Sequence, residues 1–455
     1  MMSHYPISNE NQKPEPFGQG DGINCVKNTY GPDDESQRDG EHHSPSKRAT
    51  DHDASTTSTE TGDRALILGL KKLDVNDSIR DREDGEQIEK SATTENDEQS
   101  NGANQRTEAG EPASEEDRLF ARERQVLLQY LLDNVAEFRD LSEIRLKGWE
   151  NPEGDRYFER QRHISDNPDE QTSKIFMGMM QRVGAKMQEA TGVFTLTSKR
   201  PSMLALGCAP GGFVSTALKF NPDVQIIGIT LPVRDNGVEC LVKKNKRLTL
   251  IEADVTMLAA DLGTAETDIP KNHPDARNFL PRQIRPRQQF DIVTCEGGVL
   301  RTHEIAPYRE HREASRLKTS QLAIALARVK PGGSMVVLMH KAEARNSLCL
   351  FYIFSKFARV RLFKPDVQHQ HRSSFYMIAT DIQSQGEAVR RAVTQWTGEW
   401  RAATFGTDEE YHEEIHRDHV DIDEVLKEFG EKWVELSREV WKIQIKGLQK
   451  KSFAQ

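Results

Sequence analysis

A chain of 455 residues with 62 Lys and Arg against 72 Asp and Glu carries a net charge of −10 and has room for one large domain with appendages. No apolar run approaches the roughly 18 residues of a transmembrane helix, and Met1-Met2-Ser3-His4-Tyr5-Pro6 lacks the basic-then-apolar order of a secretory signal. Five scattered cysteines (Cys25, Cys208, Cys240, Cys295, Cys349) contain no C-x-x-C pair, which argues against a disulfide framework or a metal site and implies a reducing intracellular compartment, cytoplasm or nucleus.

Residues 1–115 read as a disordered acidic arm. They are rich in Ser, Thr, Asn and acids and cannot bury enough apolar area to offset chain entropy. One island, Ala65-Leu66-Ile67-Leu68-Gly69-Leu70, is either a chance patch or a docking motif. Order is expected from about Ser114, where Ser114-Glu115-Glu116-Asp117 has capping-box character. A helical lead-in over 116–171 follows, with Leu119, Val126, Leu127, Tyr130, Leu131, Val135 and Phe138 at helical spacing. A further helix is predicted at 172–190. Strands are then predicted at 203–206, 225–230, 248–251, 290–295, 334–340 and 374–380. They alternate with helices near 213–219, 234–245, 314–329 and 345–357, and a proline-rich loop covers 262–288. Such alternation predicts an α/β fold with a parallel, doubly wound sheet. The tail, 382–455, reads as helical, and its Trp396, Trp400, Trp433 and Trp441 are expected to pack helix faces onto the domain rather than stack on bases.

The strand-like Met203-Leu204-Ala205-Leu206 runs into Gly207-Cys208-Ala209-Pro210-Gly211-Gly212-Phe213 and then into a helix. Glycines let a ligand approach the backbone, and the helix N-terminus offers free N–H groups, so a nucleotide-like ligand is expected at this strand end. The glycine spacing fits neither G-x-G-x-x-G nor a P-loop. The octet beginning at Leu206 closely resembles the S-adenosylmethionine (SAM) loop of the FtsJ-like (RrmJ-like) RNA 2′-O-methyltransferases. Later landmarks extend the resemblance over about 172–381: Ile226–Pro232, Ile251-Glu252-Ala253-Asp254, Phe290–Glu296 and Val329–Ser334. The resemblance implies a class I, Rossmann-like methyltransferase fold, SAM as cofactor and RNA as substrate. Residues 207–213 would then hold SAM, with Thr230 near its ribose, Asp254 on the adenine amino group and Glu296 beside it.

The family's catalysis rests on a Lys-Asp-Lys-Glu arrangement, in which a lysine of lowered pKa takes the proton of a ribose hydroxyl. The resemblance carries the first lysine onto Lys186 and the first acid onto Glu296. The central lysine falls on Leu338 and the last acid on Ser374. His340, two residues along the same strand face, and Lys341 are the stand-ins expected from the sequence. Lys243, Lys244, Lys246 and Arg247, and Arg282, Arg285 and Arg287, are candidates for holding RNA phosphates. Residues 171–381 carry a net charge of +12 while residues 1–118 carry −14, so the basic block suits a polyanion. Three other readings stand beside methylation of RNA: a pseudoenzyme that keeps the fold, a methyltransferase for a small molecule, and an adaptor recruiting proteins through its acidic arm and C-terminal helices. No membrane partner is expected.

Overall fold

The computed structural model describes residues 115–454 apart from 167, 418 and 419. The acidic arm, its apolar island and Ser114 therefore lie outside the described residues. Seven strands make one sheet: β1 Ser202–Leu206, β2 Gln225–Thr230, β3 Leu248–Glu252, β4 Phe290–Cys295, β5 Val329–His340, β6 Arg359–Phe363 and β7 Ser374–Ile382. Their order is β3-β2-β1-β4-β5-β7-β6. The first five run parallel, and β7 lies antiparallel between β5 and β6. Met203 to Leu206 are fully buried, as a central parallel strand covered on both faces requires.

β6 was not expected from the sequence. Arg359-Val360-Arg361-Leu362-Phe363 alternates charge with apolar side chains, the pattern of a half-exposed edge strand. The helix expected over 234–245 does not form. A single 3-10 turn at Val233–Asp235 is followed by extended chain. Asn236 takes a left-handed conformation (φ 60°), and a β-carbon at Gly237 would lie 2.1 Å from the Leu231 carbonyl oxygen, so the chain reverses tightly there. The segment beyond then bonds to its neighbours, with Leu241 N–H donating to the Pro210 carbonyl at 3.0 Å. A tertiary contact has overridden a weak local preference.

One face of the sheet is covered by α4 (Glu170–Thr191) and α5 (Gly212–Phe220). Asp169 caps α4 by accepting the Thr172 N–H at 2.7 Å. The two helices pack so closely that a β-carbon at Gly184 would sit 2.3 Å from Thr216 Oγ1. The other face carries α6 (Glu313–Arg328), α7 (Arg345–Ser355) and α8 (Glu387–Phe405), with α9 (Asp408–Arg417) beyond. The lead-in helices α1 (Glu115–Asn134), α2 (Ala136–Glu150) and α3 (Pro152–Asp166) pack with the C-terminal α10 (Ile422–Gln449). The Glu137 carboxylate accepts from Arg438 at 2.7 Å, and the Phe138 and Trp441 rings lie 5.6 Å apart. One apolar cluster runs from α1 and α2 through the sheet to α10.

All four tail tryptophans are buried. The Trp400 indole donates to the Thr256 carbonyl at 3.0 Å, Trp433 to the Ala342 carbonyl at 2.9 Å and Trp441 to the Glu343 carboxylate at 3.2 Å. Buried indoles with satisfied N–H groups are packing elements. Among the described residues no helix is long and apolar enough to cross a membrane.

Candidate active site

The site is built where the parallel strands end. Gly207 (φ 68°) and Gly211 (φ 104°) use backbone conformations that L side chains rarely adopt. Contact adds a second reason for glycine. A β-carbon at Gly207 would lie 2.3 Å from the Gly297 backbone, so the loops after β1 and β4 touch. Glu296 N–H donates to the Leu206 carbonyl at 2.9 Å across the same junction. Buried Gln321 of α6 clamps the turn, accepting from Gly297 N–H at 2.9 Å and donating to its carbonyl at 3.0 Å. No motif or spacing in the chain marks this residue.

Gly211 is the N-cap of α5, and no side chain caps the helix. Its first-turn N–H groups are therefore of the kind that receive an anionic group. Gly212 tucks against α4, where a β-carbon would lie 2.3 Å from Met180 Cβ. Cys208 is buried and donates its N–H to the Ile229 carbonyl at 3.1 Å, while Ala209 and Pro210 are half-buried. Phe213 turns away from the loop surface. Its fully buried ring packs against Phe194 and Tyr376, with ring centres 5.7 and 5.3 Å away, so its side chain serves the core.

Thr230 ends β2, nearly buried, and its carbonyl receives the Ala253 N–H at 2.8 Å. Asp254 follows β3. Its Oδ1 accepts from both the N–H and the hydroxyl of Thr256 at 2.8 Å, which caps the short turn Val255–Met257. Thr256 is held in turn, since its carbonyl accepts from Trp400 and, at 3.3 Å, from fully buried Arg316. The C-terminal helix α8 thus buttresses the strand end at which the adenine acid was expected.

Glu296 follows β4 directly. Burial pushes its carboxyl up to about 8, against the Thr294 hydroxyl, which donates to it at 2.7 Å. The carboxyl is consequently protonated at neutral pH. Lys186 projects from α4 onto Asp366 of the β6–β7 loop, in a salt bridge. His340 ends β5 and stands opposite Ser374 in the ladder, as Leu338 stands opposite Tyr376. Its imidazole reaches solvent. Its burial among protein atoms, then the nearby Lys318, Lys364, Arg372 and Lys341, lower its pKa and keep it neutral. Lys341 lies one step past the strand, with left-handed backbone (φ 52°) and its N–H on the Ser373 carbonyl at 3.2 Å.

Two lysines, half-buried Lys318 and buried Lys364, carry no signal in the sequence because they come from outside the motif strands. Lys318 of α6 donates to the Leu338 carbonyl at 3.0 Å. Lys364, just after β6, donates to the carbonyls of Ser374 at 2.8 Å, Arg372 at 2.6 Å and His369 at 3.2 Å. Burial lowers Lys318 to about 8 and Lys364 to about 7. Each ammonium is therefore docked on the backbone of one of the two residues, Leu338 and Ser374, whose side chains depart from the expected arrangement.

Among the basic groups, Lys243, Lys244 and Lys246 are exposed. Arg247 is not available to phosphates, because its guanidinium donates to the carbonyls of Leu218, Asn221 and Pro222 at 2.7–3.3 Å. Arg282 faces buried Asp261 at 3.9 Å. A cavity of about 810 Å³ opens at the opposite sheet edge, among Ser198, Asp291, Lys330 and Arg361, away from these groups.

Five parallel strands, an antiparallel seventh between the fifth and sixth, and a glycine loop after β1 make up the class I, Rossmann-like methyltransferase fold. Residues 179–382 match the family model described as FtsJ-like methyltransferase. A stretch of 112 residues is 29% identical to the cap-specific mRNA (nucleoside-2′-O-)-methyltransferase 2 of Danio rerio, covering 24% of this chain and 15% of that protein. Among solved structures, the N-methyltransferase NodS of Bradyrhizobium japonicum, in complex with S-adenosylhomocysteine, aligns at 13% identity. It covers 48% of this chain and 90% of that one, with a TM-score of 0.27. An rRNA methylase of Streptococcus thermophilus aligns at 10% identity over 46% of this chain and 95% of its own, with a TM-score of 0.23.

Proposed function

We propose that this chain transfers the methyl group of SAM to a ribose 2′-hydroxyl of RNA, and that Lys318 takes the place of the lysine absent at position 338. The observation that carries this reading is the docking of the Lys318 and Lys364 ammonium groups on the Leu338 and Ser374 carbonyls. The expected strand lysine is lost, but a half-buried lysine of lowered pKa stands at the same strand end.

SAM, when bound, supplies an electrophilic methyl group on a sulfonium. The first turn of α5, from Gly211 onward, offers N–H groups to its carboxylate, Thr230 a hydroxyl to its ribose, and Asp254 its second carboxylate oxygen to the adenine amino group. Glu296 presents a protonated carboxyl beside the loop and orients the incoming hydroxyl. Lys318 is the proton acceptor, neutral in a useful fraction because burial disfavours its charge. Neutral His340 lies at the same strand end and serves as relay to solvent. Lys341 adds positive charge that draws in the phosphate backbone, exposed Lys243, Lys244 and Lys246 extend it, and Lys186, paired with Asp366, positions the ribose.

The test is transfer from methyl-labelled SAM to capped and uncapped RNA oligonucleotides by the full chain, with nuclease digestion and mass analysis of the nucleosides. A Gly211→Trp chain is the control for a destroyed cofactor loop. A 2′-O-methyl nucleoside absent from the control is expected. SAM binding without transfer would instead support the retired enzyme, and methylation of small hydroxyl compounds but not RNA would support the small-molecule reading.

A further inference from the structure

We propose that Cys208 and Cys240 form a peroxide-responsive dithiol that locks the cofactor loop. The proposal rests on the SAM-binding reading of that loop. Cys208 is the second residue of the glycine loop and is buried; Cys240 is half-buried. Cys240 sits on the extended segment that replaces the expected helix after β2. This strap lies directly on the loop. A β-carbon at Gly211 would come within 3.4 Å of Cys240 Sγ and 2.2 Å of Val242 Cγ2, and the Leu241 N–H is bonded to the Pro210 carbonyl. Room for the Cys208 sulfur comes from Gly228 on β2, where a β-carbon would sit 2.9 Å from it.

The strap carries the Cys240 sulfur to the loop that holds Cys208, three residues before Gly211. Hydrogen bonding from Cys208 lowers Cys240 to about 6, while Cys208 itself is raised and keeps its proton. Cys240 is thus the nucleophile of the pair, partly accessible and largely thiolate at neutral pH. Its thiolate attacks one oxygen of hydrogen peroxide; the O–O bond breaks and hydroxide leaves, giving Cys240 sulfenic acid. The Cys208 sulfur then attacks the sulfenyl sulfur, and the S–S bond forms as the S–O bond breaks. The departing hydroxide takes up the Cys208 proton as water. One thiolate and one thiol are oxidised to the disulfide, one peroxide is reduced, and one hydroxide and one water result. A dithiol reductant reverses the step through a mixed disulfide.

The disulfide would fix the strap at residues 240–242 onto Gly211, so that neither the loop nor the strap can yield to the cofactor. The nearest other described cysteines do not share this geometry: Cys295 is buried under Gln321, and Cys349 lies on α7.

The experiment treats the full chain with hydrogen peroxide, then reads three quantities. Tryptic mapping without reduction should show a Cys208–Cys240 peptide. Trypsin cleavage after exposed Lys243 and Lys244 in the native chain should slow. SAM affinity by calorimetry should fall at least about tenfold, equal to about 1.4 kcal/mol, and recover with dithiothreitol. Cys349→Ser should leave all three responses intact. Cys240→Ser should abolish the cross-linked peptide and make SAM affinity indifferent to peroxide. Absence of the peptide in the untouched chain overturns the dithiol, whatever the fate of any variant. A peptide that forms without slowing cleavage overturns the lock, and one that forms without lowering SAM affinity overturns its effect on the cofactor. Failure of the reduced chain to bind SAM would instead overturn the cofactor reading, with peptide and cleavage still judging the dithiol.

Discussion

The assignment of Lys318 makes a quantitative prediction. Replacing Lys318 by Met removes the side-chain donor on the Leu338 carbonyl while keeping the aliphatic stem. General-base catalysis contributes about 10²–10⁴-fold, so the variant should lose about 3–5 kcal/mol of transition-state stabilisation. The pH dependence is the sharper readout. With its pKa lowered to about 8, Lys318 is roughly one-tenth neutral at pH 7 and mostly neutral at pH 9. Wild-type single-turnover rates should therefore climb as pH rises through 8 and then level off. The Met variant should show a low rate without that limb. Freeing the Leu338 carbonyl costs about 1–3 kcal/mol, but deleting a buried ammonium offsets part of it, so the variant should fold. Single-turnover methyl transfer with SAM saturating separates chemistry from binding, and circular dichroism checks the fold. A folded K318M that transfers within about threefold of wild type across that range would refute the role, because no base of this strength would then be at work.

Two further predictions concern stability. Glu296 has a folded pKa raised from 4.5 to about 8, so between those values the folded chain holds a proton that the unfolded chain has released. Stability from this group is present below about pH 4.5 and is lost as pH rises toward 8. Glu296→Gln should flatten that decline in thermal melts from pH 5 to 8, whereas an unchanged slope would mean the carboxyl is ionised in the native site. Trp441 is fully buried against Phe138 and donates to Glu343, so Trp441→Ala should cost about 3–5 kcal/mol in urea unfolding. A loss under about 1 kcal/mol would mean that α10 is not part of the folding core.

The sequence by itself determined the five parallel strands, β7 and the glycine loop, but not the edge strand β6. β1, β2 and β4 are apolar runs bounded by turn residues, and the Gly207–Phe213 motif carries its own geometry, because glycine spacing is a backbone property written locally. Lys186, Glu296 and His340 can be proposed from the sequence because each holds a fixed offset from a motif. Lys318, Lys364 and Gln321 cannot, since their functional atoms meet carbonyls of Leu338, Ser374 and Gly297 at positions 20, 10 and 24 residues away. The strap was misread as a helix because its local preference was outweighed by bonds to a loop about thirty residues earlier, a contact that exists only once β1 and β2 are paired. Pairwise side-chain chemistry is fixed by distance in space, and for this site the distances were set by the packing of α6, the strap and the β6–β7 loop against strand ends that the sequence had already specified.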